Sequence, residues 1–189
     1  MELMKGRPAD CAGRLERETA VYDLLDRLQI EYLRTDHEEA NTMEACNEID
    51  RILDVIICKN LFLCNKQKTR FYLLMMPGDK VFKTSVLSKK IGSARLSFAD
   101  AGHMEEYLHI KPGAVSVMGL MNDDEGRVQL LIDREVYESE YLGCHPCVST
   151  SSLKIRTRDV LDVFLPQVGH LPVVVDLPRE EGVEQKTAP

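Results

Sequence analysis

At 189 residues the chain is long enough to bury a core of its own and short for two domains. Its 44% hydrophobic and 29% charged content is that of a globular chain and excludes a disordered or fibrous one. No apolar run reaches the length of a bilayer span and residues 1–14 lack the apolar centre of a secretory signal, so a cytoplasmic protein with reduced cysteines and no membrane partner is expected.

Residues 1–15 show no periodicity and read as a loose lead-in, followed by a single domain over 16–178. Glu16 to Gln29 places Val21, Leu24, Leu25 and Leu28 at helical spacing, and Ile30 to Leu33 is a short strand. Thr42 caps a second helix through Leu53. Val55 to Leu63 reads as a strand buried on both faces, because its apolar residues run on without polar alternation. A polar turn and a second apolar strand, Arg70 to Met76, complete a hairpin. Thr84 to Ile91 is a short helix, Arg95 to Phe98 a strand, and Asp100 caps a helix through Leu108. Pro112-Gly113 is a turn that opens a strand over Ala114 to Met118. Val128 to Ile132 is a strand, Arg134 to Tyr141 a brief helix or turn, and Cys147 to Ile155 is rich in β-formers. Thr157 caps a last helix, Val173 to Leu177 is a last strand, and 179–189 reads as a disordered tail. The pattern is α+β, without the strand–helix alternation of a doubly wound sheet.

Charge is unevenly spread. The formal net charge is −7, yet Lys59 to Arg95 carries nine Lys or Arg against the single acid Asp79, a local +8 in a chain otherwise at −15. Such a block is the footprint of a face that meets phosphates, although a solvated face of lysines gives the same count. Lys59 itself sits inside the apolar run at 55–63, where it either marks a strand end and reaches water along its stem or lines a cavity for an anion.

Three further features bear on chemistry. Gly143-Cys144-His145-Pro146-Cys147 contains a Cys-x-x-Cys pair, but an extended stretch follows it where a redox dithiol would open a helix, so two small apolar side chains flanking a turn is the preferred reading. His145, held between a glycine-containing turn and proline, suits a strand mouth where it meets a ligand or solvent, whereas His37, His103, His109 and His170 have no comparable setting. The small residues after Pro112 would let a ligand approach backbone N–H groups that stabilise an oxyanion. There is no Gly-x-Ser-x-Gly elbow, phosphate-binding glycine loop or His-Glu-x-x-His, and no side-chain nucleophile stands out.

Cys58-Lys59-Asn60-Leu61-Phe62-Leu63, Pro112 to Val117, Gly119-Leu120-Met121-Asn122-Asp123 and Gly143-x-His145-Pro146 with Ser149-Thr150 together resemble, in this order, the YbaK/ProX family of aminoacyl-tRNA deacylases. That family includes the editing domain inserted in many bacterial prolyl-tRNA synthetases. Asn60 after Lys59 is similar to the ProX branch, which acts on alanine misattached to proline tRNA. The resemblance implies a mixed central β-barrel or sheet with helices packed outside, and hydrolysis of the aminoacyl ester by water helped by backbone groups and the substrate 2′-hydroxyl. It implies catalytic roles for Lys59, Gly113 and His145, with Lys59 binding the acceptor end. Asn60, Ala114, Val115, Ser116, Val117, Asn122, Pro146, Ser149 and Thr150 would bind substrate. No metal or cofactor is implied; the tRNA acceptor end is the partner, with prolyl-tRNA synthetase beside it. Val117 departs from the family, which has proline there, and this bears on loop rigidity and pocket size. The alternatives are a non-catalytic tRNA- or nucleotide-binding module of the same fold and a metal or redox protein built on Cys144 and Cys147.

Overall fold

The computed structural model describes residues 1–40 and 42–179. In chain order the elements are β1 (Met4–Lys5), α1 (Glu16–Arg27), β2 (Tyr32–Asp36), α2 (Met43–Leu53), β3 (Lys59–Asn65), β4 (Phe71–Met76), α3 (Thr84–Lys90), β5 (Leu96–Phe98) and α4 (Ala101–Leu108). A 3-10 helix (Val117–Asn122) follows, then β6 (Val128–Asp133), α5 (Arg134–Glu138), β7 (Tyr141–Cys144) and β8 (Ser151–Arg156). The last helical stretch joins α6 (Thr157–Asp159), a π-helical turn (Val160–Phe164) and α7 (Leu165–Gln167), and β9 (Val173–Val175) ends the fold.

The strands make two sheets, an antiparallel one in the order β1-β2-β8-β7 and a mixed one in the order β5-β3-β4-β6-β9. A parallel bridge between Ile57 and Gly143 joins them, and the Cys58 N–H donates to the Gly143 carbonyl at 2.9 Å. The α+β class holds, but the sheets do not close into a barrel. Two faces of β4 explain the layering. Phe71, Leu73 and Met75 point into the larger core with Phe62, Leu130 and Phe164, whereas Tyr72, Leu74 and Met76 join a smaller core with Leu63, Leu87 and Leu96. β4 is thus the strand buried on both faces, an attribute expected of Val55 to Leu63.

Local chemistry fixes most element ends. Thr42 accepts from the Ala45 N–H and Asp100 from the His103 N–H, so two of the three caps expected from sequence are present. Thr157 is not a cap: it is the first residue of α6, no side chain caps that helix, and its hydroxyl lies 3.1 Å from that of Ser139. Three further expectations change. The lead-in is tied down, since Met4 and Lys5 pair with Arg34 and Leu33. Ala114 to Met118 is no strand, because Ser116 caps a 3-10 helix that starts at Val117. β8 starts only at Ser151, after a turn in which Cys147 takes φ +61°. Except for Arg179, the tail lies outside the described residues; Arg179 pairs with Glu135 and Asp79. Among the described residues no helix is long and apolar enough to cross a membrane.

Candidate active site

The Pro112-Gly113 corner is a type II turn: Gly113 has φ +91°, and the Ala114 N–H donates to the Lys111 carbonyl at 3.1 Å. Only glycine takes that φ without strain. Ala114 and Val117 are buried and Val115 packs against the core, so the loop is held by its own side chains. Among the described residues the N–H groups of Gly113 and Val115 donate to no backbone carbonyl. Ser116, fully buried, uses its hydroxyl twice. It donates to the His145 carbonyl at 2.5 Å and accepts from the Met118 N–H at 3.1 Å. This residue therefore joins the 112–117 loop to the 143–147 turn, two stretches that the sequence reading singled out separately.

His145 lies between β7 and β8. Its Nδ1 is 2.9 Å from the Ser151 carbonyl and 3.2 Å from Ser152 Oγ. A carbonyl only accepts, so Nδ1 carries the proton and Nε2 keeps its lone pair. Burial pushes the His145 pKa down; the Ser151 carbonyl opposes this and nearby His37 adds to it. The ring is accordingly neutral near pH 7, an acceptor at Nε2. Around it, Pro146 is buried, the Ser149 hydroxyl donates to Glu39 at 3.0 Å and the Thr150 carbonyl accepts the His37 N–H at 3.0 Å.

Lys59 and Asn122, also expected at the site, are not brought to this cluster. Lys59 opens β3 and is exposed, not lodged mid-strand. It pairs directly with Met76 and shares the smaller-core face with Leu61 and Leu63, opposite Cys58 and Phe62. Its ammonium donates to the Lys80 carbonyl at 2.8 Å and lines a surface depression of about 540 Å³ with Phe82, Lys83, Thr84 and Phe98. Strand parity is the reason it misses His145: the one-residue step from Cys58 to Lys59 reverses the face. Asn60 returns to the Cys58 face, donating to the Cys58 carbonyl at 3.1 Å with its Oδ1 buried and unbonded among the described residues. Asn122 donates to the Leu108 carbonyl at 2.9 Å and lines a separate cleft with Arg17, Glu105 and His109.

The Cys-x-x-Cys pair behaves as packing. Burial pushes the Cys147 and Cys58 thiols up to about 12 and Cys144 higher still, so none is a ready thiolate. Among the described residues no group of three His, Cys, Asp or Glu is disposed to hold a metal ion.

Beneath the turn lies a polar network invisible in the motifs. Tyr22 donates to Glu18 at 2.8 Å and sits 3.3 Å from Ser151 Oγ, while Arg14 bridges Glu18 and Asp36. Arg34 also pairs with Asp36. Burial opposes ionisation of Asp36, but the two guanidinium groups outweigh it and hold its carboxyl down to about 2. His37, read from sequence as background, is the main omission: its ring stands 6.3 Å from that of His145. The only signal for it is its place at the end of β2, which pairs with the strand leaving the His145 turn.

A family model described as an aminoacyl-tRNA editing domain matches residues 37–163, which span both the loop and the turn. The chain is 30% identical over 146 residues to the prolyl-tRNA editing protein ProX of Acetoanaerobium sticklandii, covering 77% of this chain and 89% of that one. It is also 30% identical over 170 residues to prolyl-tRNA synthetase associated domain-containing protein 1 of Danio rerio, covering 89% and 88%. A crystal structure of a candidate trans-editing enzyme for prolyl tRNA synthetase superposes with a TM-score of 0.64 at 13% identity, over 88% of this chain and 98% of that one, and shares the fold. The chain belongs to the aminoacyl-tRNA editing domain family, of YbaK/ProX type, and by that membership is an aminoacyl-tRNA hydrolase.

Proposed function

We propose that this protein acts in trans on alanine misattached to proline tRNA, hydrolysing the ester in the cytoplasm where prolyl-tRNA synthetase charges that tRNA. The names of the relatives support the prolyl system. We assign the editing domain to residues 16–178, wider than the matched 37–163, because α1 supplies Glu18 and Tyr22 to the network under the turn. The observation that carries the reading is the bond from the Ser116 hydroxyl to the His145 carbonyl, which holds the loop against the turn.

An aminoacyl ester is already activated, so positioning and oxyanion donors supply a sufficient lowering of the barrier. The N–H groups of Gly113 and Val115 are the candidate donors, and the Nε2 lone pair of His145 accepts from the substrate's ribose hydroxyl or its amino group. Water attacks the carbonyl with help from the substrate 2′-hydroxyl, and no side-chain nucleophile is required. Ala114 to Val117 shape a pocket sized for a methyl group, which rejects the pyrrolidine ring of cognate prolyl-tRNA by volume. Asn60, Pro146, Ser149 and Thr150 border it; Asn122, in its own cleft, contacts the tRNA at a distance from the ester. Lys59 acts from the other face of β3, as a phosphate contact that binds the acceptor end.

This division is testable with mischarged tRNA. His145→Ala lowers kcat by about tenfold or more, the order of one lost transition-state contact. Lys59→Ala instead raises KM and flattens its dependence on salt, with kcat unchanged. A His145→Ala enzyme with full kcat sinks the assignment of the site.

A further inference from the structure

We propose that His37 is a positioning residue for His145, acting through the Ser152 hydroxyl; the inference rests on the proposed role of His145 in deacylation. The direction of every bond in the chain follows from what each atom can do. His37 Nδ1 lies 2.8 Å from the Glu38 carbonyl, which only accepts, so in the neutral ring Nδ1 carries the proton and Nε2 is an acceptor. That Nε2 is 2.9 Å from Ser152 Oγ, so the hydroxyl gives its single proton to His37. The serine oxygen then has only lone pairs to offer His145, whose Nδ1–H is 3.2 Å away. The chain runs one way, from His145 to Ser152 to His37, and it ends with the His37 proton on the Glu38 carbonyl.

Backbone pairing builds this arrangement. Thr35 pairs with Ser152 and Asp36 with Ser151 in the β2–β8 ladder, and the His37 N–H continues it to the Thr150 carbonyl at 3.0 Å. Ser152 is fully buried, so water does not compete for its hydroxyl. The Ser151 carbonyl selects the tautomer of His145; the serine and His37 add a second acceptor to the same Nδ1–H and restrain rotation of the ring. Nε2 is thereby presented to substrate in one orientation. A shell that fixes an imidazole in this way acts on the rate of the chemical step and not on substrate binding.

Kinetics of deacylation in His37→Ala, His37→Gln, Ser152→Ala and the double alanine variant test the inference, with His145→Ala measured alongside. His37→Ala and Ser152→Ala each lower kcat by about five- to tenfold, the effect of one neutral hydrogen bond, with KM unchanged. The double variant is no slower than the slower single, because one chain is cut in either place. His37→Gln recovers most of kcat, since its amide oxygen accepts the serine proton. Imidazole nitrogen spectra of the wild-type protein show His145 as the Nδ1–H tautomer, and its resonances broaden in Ser152→Ala as the ring is released. Wild-type kcat in His37→Ala, losses that multiply in the double variant, or a glutamine that restores nothing overturns the inference. If His145→Ala retains full activity, the proposed site has failed; if His145→Ala is impaired and His37→Ala is not, only the positioning role has failed.

Discussion

Ser116 shows how one hydroxyl can join the two halves of the proposed site. Bonded to both the His145 carbonyl and the Met118 N–H, it caps a helix and fastens a loop to a turn that lies 29 residues away in sequence. Sequence named both partners but not the bond between them, since a serine in an apolar stretch carries no mark of its contacts. His37 was missed for a similar reason: only the β2–β8 register brings it to His145. Burial depresses the His145 pKa, and the sign of its effect on stability follows. The neutral ring contributes fully above the ordinary histidine value, and the contribution is lost as pH falls through the lower folded value. Thermal melting of the wild type should therefore drop between neutral and mildly acid pH by more than that of His145→Gln; equal drops would contradict the assignment of a buried neutral ring.

At the scale of elements, regular periodicity was legible and turn chemistry was not. The caps at Thr42 and Asp100 and the hairpin of β3 and β4 follow from side-chain type and local spacing, whereas Thr157 starts α6 without capping it, its hydroxyl lying 3.1 Å from that of Ser139. Ala114 to Met118 failed as a strand since Ser116 offers its hydroxyl to the following turn, and Gly119 leaves no room for a Cβ, which would lie 2.5 Å from Ile110 Cδ1. The doubly buried strand proved to be β4, whereas β3 exposes Lys59 at its start. The junction of the two sheets depends on Gly143, where a Cβ would meet the Ile57 Cα at 3.0 Å and its Cδ1 at 2.7 Å. Gly143→Ala should destabilise by about 1–3 kcal/mol, as overpacking does, and should disturb the His145 turn next to it. Denaturant unfolding that shows no change would mean that the sheets can separate there without cost.

For the whole molecule, the segregation of charge survives folding in part. Lys59 and Lys83 line one depression beside the exposed ring of Phe98, but Lys80 from the same block is buried against Asp133 at 2.9 Å and also meets Glu135. Burial works against the Lys80 ammonium, yet those two carboxylates hold its pKa above the ordinary value, so this lysine ties β6 and α5 to the 77–80 turn instead of facing a ligand. Counting charges in sequence could not separate the two roles, which depend on who sits across the turn. Family membership fixes the reaction class, and the loop and turn joined at Ser116 are the site we propose for it. Release of alanine from Ala-tRNA(Pro), compared with release of proline from Pro-tRNA(Pro) by the same purified protein, tests this most directly. The account predicts rapid loss of alanine with prolyl-tRNA left intact, and equal rates on the two, or none on either, would contradict it.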